Sequence, residues 1–408
     1  MRSKRLWFVV SLMLVLAMSL AACTQPVTEL TQQPEVESDE LVFGMLLVGP
    51  YNDHGYSQAH YDAGLYVEEN FDGARMVYVD KVNPADRPGT TADQLAEELL
   101  AKDATVIIFN SDDMKDAAVT FAQAHPEVIV IHASGDNAWK DGQNYKALTN
   151  LSNVMGRMEY GKMMAGCAAA LTTETGKIGY LGPLINDETR RLAASAYLGA
   201  RYCYENYRGE KPDDLEFKVT WIGFWFNIPG VTSDPTQVAN DFYDNGYDVV
   251  ISGIDTTEAL IQAKQKTAEG KKVFAIPYDF MGACAEAEAV CLGVPYFNWG
   301  PAYLSMLKAA DAGTLKPTWD YLGPDWKDIN DLDSSAIGFI KGPALSTDAA
   351  TNLDKFIAEL AGGLNLWTGP LNLQDGSAYL QDGEVATDFQ VWYLPQLLEG
   401  MEGQSVSE

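Results

Sequence analysis

Past about residue 40 the chain alternates short, densely apolar runs with longer segments whose apolar residues recur at helical spacing. The first run, Leu41 to Val48, is apolar throughout, the pattern of a strand covered on both faces. Tyr56–Asn70 then reads as a helix, Arg75–Val79 as a second strand, Ala92–Ala101 as a helix and Thr105–Phe109 as a third strand. Lys115–Ala124 is helical and ends before His125-Pro126, and Val128–His132 is a fourth strand. The pattern then restarts. Met155–Leu171 reads as a helix with small residues on one face, Lys177–Leu181 as a strand and Glu188–Tyr207 as a long helix. Phe217–Ile222, Asp248–Ser252 and Lys272–Ile276 follow as strands, separated by helices over Thr236–Asn245 and Thr257–Glu269. Two successive runs of strand–helix units predict two doubly wound α/β lobes with parallel sheets. Ligands of such sheets sit beyond the carboxyl ends of the strands, and in two facing lobes those ends can meet at a cleft. From Leu366 to Glu384, Gly and Asp fall at turn positions between short alternating runs, which predicts a β-hairpin packed on one lobe.

The first 23 residues follow a different rule. Arg2, Lys4 and Arg5 precede an apolar run, Leu6 to Leu20, that ends in Leu20-Ala21-Ala22-Cys23. A basic start, a short apolar stretch and small residues before a cleavage point read as a secretory signal peptide over residues 1–22, too short for a membrane span. A cysteine directly after Leu-Ala-Ala resembles the bacterial lipobox, which implies that Cys23 is lipidated and becomes the mature N-terminus. Residues 24–40 are polar and contain proline, as suits a flexible tether. The expected location is the extracytoplasmic face of the cell membrane, held by lipid.

Composition narrows the function. The remaining length suits two domains, and 47% hydrophobic residues suit sizeable cores. A formal net charge of -29 argues against nucleic acid, which needs a concentrated basic surface. Cys284 and Cys291 are close enough in sequence to bridge within a loop, whereas Cys167 and Cys203 sit in helical segments and read as small core residues. No Cys-x-x-Cys occurs, and His54, His60, His125 and His132 form no ligand pattern, so no metal is expected.

Polar and aromatic residues cluster just after the predicted strands. Gly49 to Ser57 follows the first, Asn110 to Asp113 the third, Gly223 to Asn227 and Gly253 to Asp255 two later ones, and Tyr278-Asp279-Phe280 the last. A loop expected over Tyr296 to Pro301 holds Asn298 and Trp299. Asp or Asn beside Tyr, Trp or Phe at matching positions of both halves suits a planar heterocycle, with aromatic faces for stacking and carboxylates for N–H and O–H groups. Taken singly, an Asp after a strand is more often a helix cap and an aromatic more often core. Catalytic constellations are missing: there is no Gly-x-Ser-x-Gly, no phosphate loop, no His-Glu-x-x-His and no dinucleotide fingerprint. Asp112 with Asp113 reads as solvated loop acids, and no enzymatic activity or cofactor is expected.

In their order along the chain, several segments resemble the basic membrane protein family of ABC-importer substrate-binding lipoproteins, and its purine and purine-nucleoside branch. They are Asn52 to Gln58, Gly161-Lys-Met-Met-Ala-Gly166, Trp221-Ile-Gly-Phe-Trp-Phe-Asn227, Asn298-Trp-Gly-Pro-Ala-Tyr303 and Thr368 to Gly376. The resemblance implies a type I periplasmic-binding-protein fold with a multi-strand hinge, serving an ABC importer permease. It implies a first lobe of residues 41–152 plus 278–318, a second of 153–277 plus 319–401, and a flexible tail over 402–408. By motif, Tyr56 and Trp225 would stack on the base, Asp53 or Asn52 would read its edge, and Asp279 would meet ribose hydroxyls or an exocyclic amine. Ser111, Asp255 and Asn298 would line the cleft, with Trp299 either core or contact. The family's Asp-Pro after the second tryptophan is here Asn227-Ile-Pro229 with a small insertion after it, which leaves free base and nucleoside both open. A flavin or a sugar remains an alternative solute, and a ligand-sensing lipoprotein an alternative role.

Overall fold

The structure, a computed structural model, describes residues 40–406; the expected signal segment, Cys23 and the tether through residue 39 lie outside them. The chain first forms β1 (Leu41–Leu46), α1 (Tyr56–Asn70), β2 (Ala74–Val79), α2 (Ala92–Leu100), β3 (Val106–Phe109), α3 (Lys115–Ala124), β4 (Ile129–Ala133) and β5 (Leu151–Gly156). It continues through α4 (Met158–Thr172), β6 (Lys177–Gly182), α5 (Asp187–Asn206), β7 (Glu216–Trp221), α6 (Pro235–Asp244), β8 (Val249–Ser252), α7 (Glu258–Ala268) and β9 (Phe274–Ile276). Then come β10 (Gly293–Phe297), α8 (Gly300–Asp311), β11 (Trp319–Leu322), β12 (Ile337–Lys341) and α9 (Thr347–Ala361). The hairpin β13 (Leu371–Asn372) and β14 (Ala378–Leu380), the short α10 (Asp388–Trp392) and β15 (Met401–Glu402) end the fold.

Two parallel sheets organise these elements, in the orders β11-β5-β4-β3-β1-β2 and β15-β7-β6-β8-β9. β1, β3 and β5 are buried at every position, so their sequences are apolar runs rather than alternations. In the first sheet the chain leaves β1 for β2 on one side and returns to β3 on the other; in the second it does the same around β6, with β7 and β8. Each sheet thus has a topological switch point, where the loops beyond the strand ends diverge and leave a crevice. The chain passes between the sheets through Gly156–Met158, again after β9, and again between β11 and β12. The antiparallel pair β10–β12 belongs to neither sheet.

Several segments differ from the sequence reading. Leu151–Gly156 is a strand, where a helix was expected from Met155. Ser152 and Asn153 disguise it, yet both are satisfied inside: Asn153 accepts from the Ala138 amide at 2.7 Å and donates to the Ser134 carbonyl at 3.0 Å. Tyr296 and Phe297 lie in β10 rather than a loop. β5 and β11 both join the first sheet, although the lobe limits expected at 153 and 319 would divide one from it and exclude the other. The tail expected from residue 402 is held in place through its described residues. β15 pairs with β7, Trp221 Nε1 donates to the Gln404 carbonyl at 2.7 Å, and the Leu397 amide donates to Ser405 Oγ at 2.9 Å.

That terminal segment reaches both sheets. Arg190 of α5 donates to the Leu394 carbonyl at 2.7 Å, while Trp392 packs against Trp319 and Tyr321 of β11, each with ring centroids 5.1 Å away. Tyr393 donates its hydroxyl to Asp136 beyond β4, and Arg157, where the chain crosses after β5, forms a two-pronged pair with Asp388 at 2.6 and 2.8 Å.

Both cysteine pairs form disulfides, Cys284–Cys291 within its loop and Cys167–Cys203 between α4 and α5. The second corrects the reading of Cys167 and Cys203 as separate core residues. Small side chains make the bridge possible by letting the two helix backbones touch. A Cβ on Gly166 would lie 1.8 Å from the Ala196 carbonyl oxygen, and one on Gly199 2.1 Å from that of Met163. Gly166→Ala must therefore push the helices apart, and should lower the unfolding free energy by about 1–3 kcal/mol in a non-reducing urea titration.

Candidate functional site

A cavity lies between the carboxyl ends of the two sheets. Tyr56 at the start of α1, Ser111 and Asp112 after β3, and Ser134 after β4 supply one wall. Glu188 in the first turn of α5, Trp225 after β7, Asp255 after β8, and Tyr278 with Asp279 after β9 supply the other. Tyr56 and Ser111 mark the switch point of the first sheet, Glu188 and Asp255 that of the second. The walls are close together: a Cβ on Gly55 would lie 1.6 Å from the Asp255 carbonyl oxygen.

Five of the eight residues singled out from sequence meet at this cavity: Tyr56, Ser111, Trp225, Asp255 and Asp279. The other three do not. Asn52 is exposed on the β1–α1 loop. Asp53 is occupied as a cap, its carboxylate accepting from the amides of Gly55, Ser57 and Gln58 at 2.9 to 3.0 Å. Asn298 donates to the carbonyls of Leu332 and Ser335 at 2.9 and 2.8 Å, and tethers the segment before β12. Trp299 is core, stacked on His60 with centroids 4.3 Å apart. Sequence reasoning missed Asp112, Ser134, Glu188 and Tyr278 as wall residues. Position just after a strand would have found Ser134, and adjacency to Asp279 would have found Tyr278. Glu188 gives no such signal, because an acid in a first helical turn is ordinary.

The cavity's charge is concentrated on its second-lobe wall. Asp279 has no solvent exposure, and neither carboxylate oxygen has a hydrogen-bond partner among the described residues. Burial pushes its carboxyl well above the usual range, with Lys162 pulling in the opposite direction. Its backbone adopts φ 71°, a conformation that side chains other than glycine resist, and is fixed there by hydrogen bonds from its amide to Pro295 at 3.1 Å and from Phe297 to its carbonyl at 3.2 Å. Burial likewise raises the Asp255 carboxyl, and Asp279 beside it adds to the shift. Glu188, partly exposed at the wall, is pushed up to about 7 by burial against the pull of Arg191.

A second chamber adjoins the first and shares Asp112 and Glu188 with it. Lys115, Asp136, Asn186 and Arg191 line it together with Trp392 and Tyr393 of the terminal segment. Asn186 donates to Asp112 at 3.2 Å across the cleft. Arg191 is held by Glu159 at 2.7 Å and lies 4.1 Å over the Trp392 ring. Carboxylates, an amide, an ammonium and a guanidinium around one space match hydroxyl groups, which both donate and accept.

Two α/β lobes with an aromatic and acidic cavity at their facing strand ends define the type I periplasmic-binding fold. Solved structures with that architecture include an ABC transporter solute-binding protein from Conexibacter woesei, with 17% identity, a TM-score of 0.56 and coverage of 80% of this chain and 98% of that one. Another, from Aeropyrum pernix K1, has 14% identity, a TM-score of 0.60 and coverage of 81% and 92%. A putative ABC transporter glucose-binding protein of Haloferax volcanii is 26% identical over 224 residues, 55% of this chain and 51% of that protein, so the match spans about half of that relative's length. Residues 41–290 match the family of PnrA-like ABC transporter substrate-binding proteins, and the chain belongs to it.

Asp279→Asn should stabilise the ligand-free protein near neutral pH by about 1–3 kcal/mol, because the buried carboxyl must keep a proton that the unfolded chain releases, a cost the amide does not carry. The carboxyl is held above its ordinary range when folded, so its contribution to stability is present in acid and lost as pH rises through the folded value. The gap between variant and wild type should therefore close as pH falls toward about 4, in urea titrations across pH.

Proposed function

We propose that this protein captures a purine nucleoside or purine base between its lobes and delivers it to an ABC importer. The observation that carries this reading is the meeting of three aromatic side chains, Tyr56, Trp225 and Tyr278, with the unpartnered carboxylate of Asp279 around one cavity. Aromatic faces suit a flat ring, and a buried acceptor suits its N–H groups or a ribose hydroxyl. Membership of a PnrA-like substrate-binding family supports capture for transport. The polar second chamber favours a solute that carries hydroxyl groups beside its ring. A second reading, a sugar as the whole solute, draws on the same chamber and on the name of the Haloferax relative.

In this proposal the protein is anchored through Cys23 on the outer face of the cell membrane. Among the described residues no helix is long and apolar enough to cross a membrane. Cells given labelled palmitate should yield labelled protein, and Cys23→Ala should yield none; label in the variant would overturn the anchor.

Mass spectrometry of small molecules released from the purified protein, followed by calorimetry, tests the solute. A purine or nucleoside at one per chain is the expected result, and a sugar in its place would select the second reading. Trp225→Ala should weaken purine binding by about 1–3 kcal/mol while the fold persists. Undiminished affinity in the folded variant would remove Trp225 from the site.

A further inference from the structure

Among the described residues five other than glycine adopt a positive φ: His54, Lys81, Asp103, Ser134 and Asp279. The first three are exposed. Ser134 and Asp279 are buried, at 2% and 0% exposure, and both line the cavity, one on each wall. They are also the two cavity residues whose buried side-chain oxygens have no hydrogen-bond partner among the described residues. A resisted backbone conformation and an unmet hydrogen bond each cost stability, and the cavity carries both costs at the same two places.

Ser134 follows β4, and a serine in a turn ordinarily bonds its hydroxyl to a nearby backbone group. Here other groups hold the turn and leave the hydroxyl over. The Ser134 amide donates to the Val154 carbonyl at 2.8 Å, and its carbonyl accepts from Asn153 Nδ2 at 3.0 Å. The same Asn153 nitrogen donates to His132 Nδ1 at 3.2 Å. His132 Nε2 faces the Ser111 carbonyl at 2.9 Å, so it carries the ring proton and donates. Gly135 completes the turn at φ 69°, pressed on the same ring: a Cβ there would lie 2.5 Å from His132 Nδ1. Residues of β4, β5 and the segment after β3 thus hold Ser134 at φ 68°.

We propose that Ser134 is a specificity-determining residue, the second polar anchor of the solute cavity. Its hydroxyl bonds one edge of the solute from the first-lobe wall while Asp279 bonds another edge from the second. The cavity therefore selects a flat solute with polar groups on two edges, as a purine has, over one that is polar on a single edge. The inference rests on the cavity being the solute site. A solute held at both points bridges the ends of β4 and β9, one strand from each sheet. The hydroxyl suits either polarity of partner, because it donates one hydrogen bond and accepts others.

The test compares wild type with Ser134→Ala, which removes the hydroxyl alone, and Ser134→Gly, which also relaxes the backbone. In urea titrations of the ligand-free proteins, both variants should unfold at concentrations no lower than wild type, since neither loses a hydrogen bond that folding uses. A lower midpoint for Ser134→Ala would mean that the hydroxyl is committed to the fold, and would overturn the inference whatever the solute proves to be. In calorimetry with inosine both variants should bind about tenfold more weakly than wild type. Undiminished affinity in both would overturn the inference. Indole, flat but polar on one edge alone, should bind wild type at least about tenfold more weakly than inosine, and equal affinity would overturn the selectivity. Inosine bound by none of the three proteins would count against the nucleoside reading, and the unfolding comparison would still decide whether Ser134 is free for a solute.

Discussion

A carboxylate without a hydrogen bond from the described residues is the constraint around which this cavity is organised. Asp279 is fully buried, its oxygens are unpartnered, and its backbone sits in a conformation that β10 must hold open for it. Each of these features costs stability in the ligand-free chain. They persist together because the surrounding fold over-determines them, which is the usual sign that a position serves recognition rather than folding. The same residue belongs to the stretch by which the chain returns from the second sheet, so the polar anchor is mounted on the connection between lobes. A donor that reaches Asp279 thus acts on the part of the fold that links the two halves.

The scaffold supplies the opposite quality, rigidity. β1, β3 and β8, which lead into the cavity, are buried at every position, and α4 and α5 lie in backbone contact and are cross-linked beneath one wall. Interiors packed to this density do not deform by small amounts; they move as blocks. The cavity is lined instead from loops and helix starts at the two switch points, where short segments carry Tyr56, Ser111, Glu188 and Asp255 without disturbing the sheets behind them.

Much of the fold was legible because parallel strands and amphipathic helices write strong patterns. Tyr56–Asn70 and Lys115–Ala124 were bounded from sequence alone as they stand in the structure. The strand β5 was not legible, since Ser152 and Asn153 are buried polar residues whose hydrogen-bond partners come from elsewhere in the chain. The disulfide between α4 and α5 was hidden for a related reason: spacing along a helix says nothing about how near another backbone comes, and the glycines that permit contact look like ordinary small residues. At the site, aromatic and acidic residues after strands were legible in kind but not in direction. Asp53 and Asp279 carry the same side chain after predicted strands, yet one is spent on three backbone amides and the other on none. Only the geometry of the following turn separates them.

The terminal segment has a mechanical meaning. Three chain crossings joining two bodies still allow them to twist and slide as well as to open. Residues beyond α9 add a further tie, pairing with β7 in one body while Trp392 and Tyr393 grip β11 and Asp136 in the other. Bodies fastened at separate points keep only the motions that leave every fastening intact, so the stroke is confined to a narrow arc with little sideways slip. For the importer proposed above, such a tie would make a loaded carrier and an empty one two separate shapes rather than a continuum of poses.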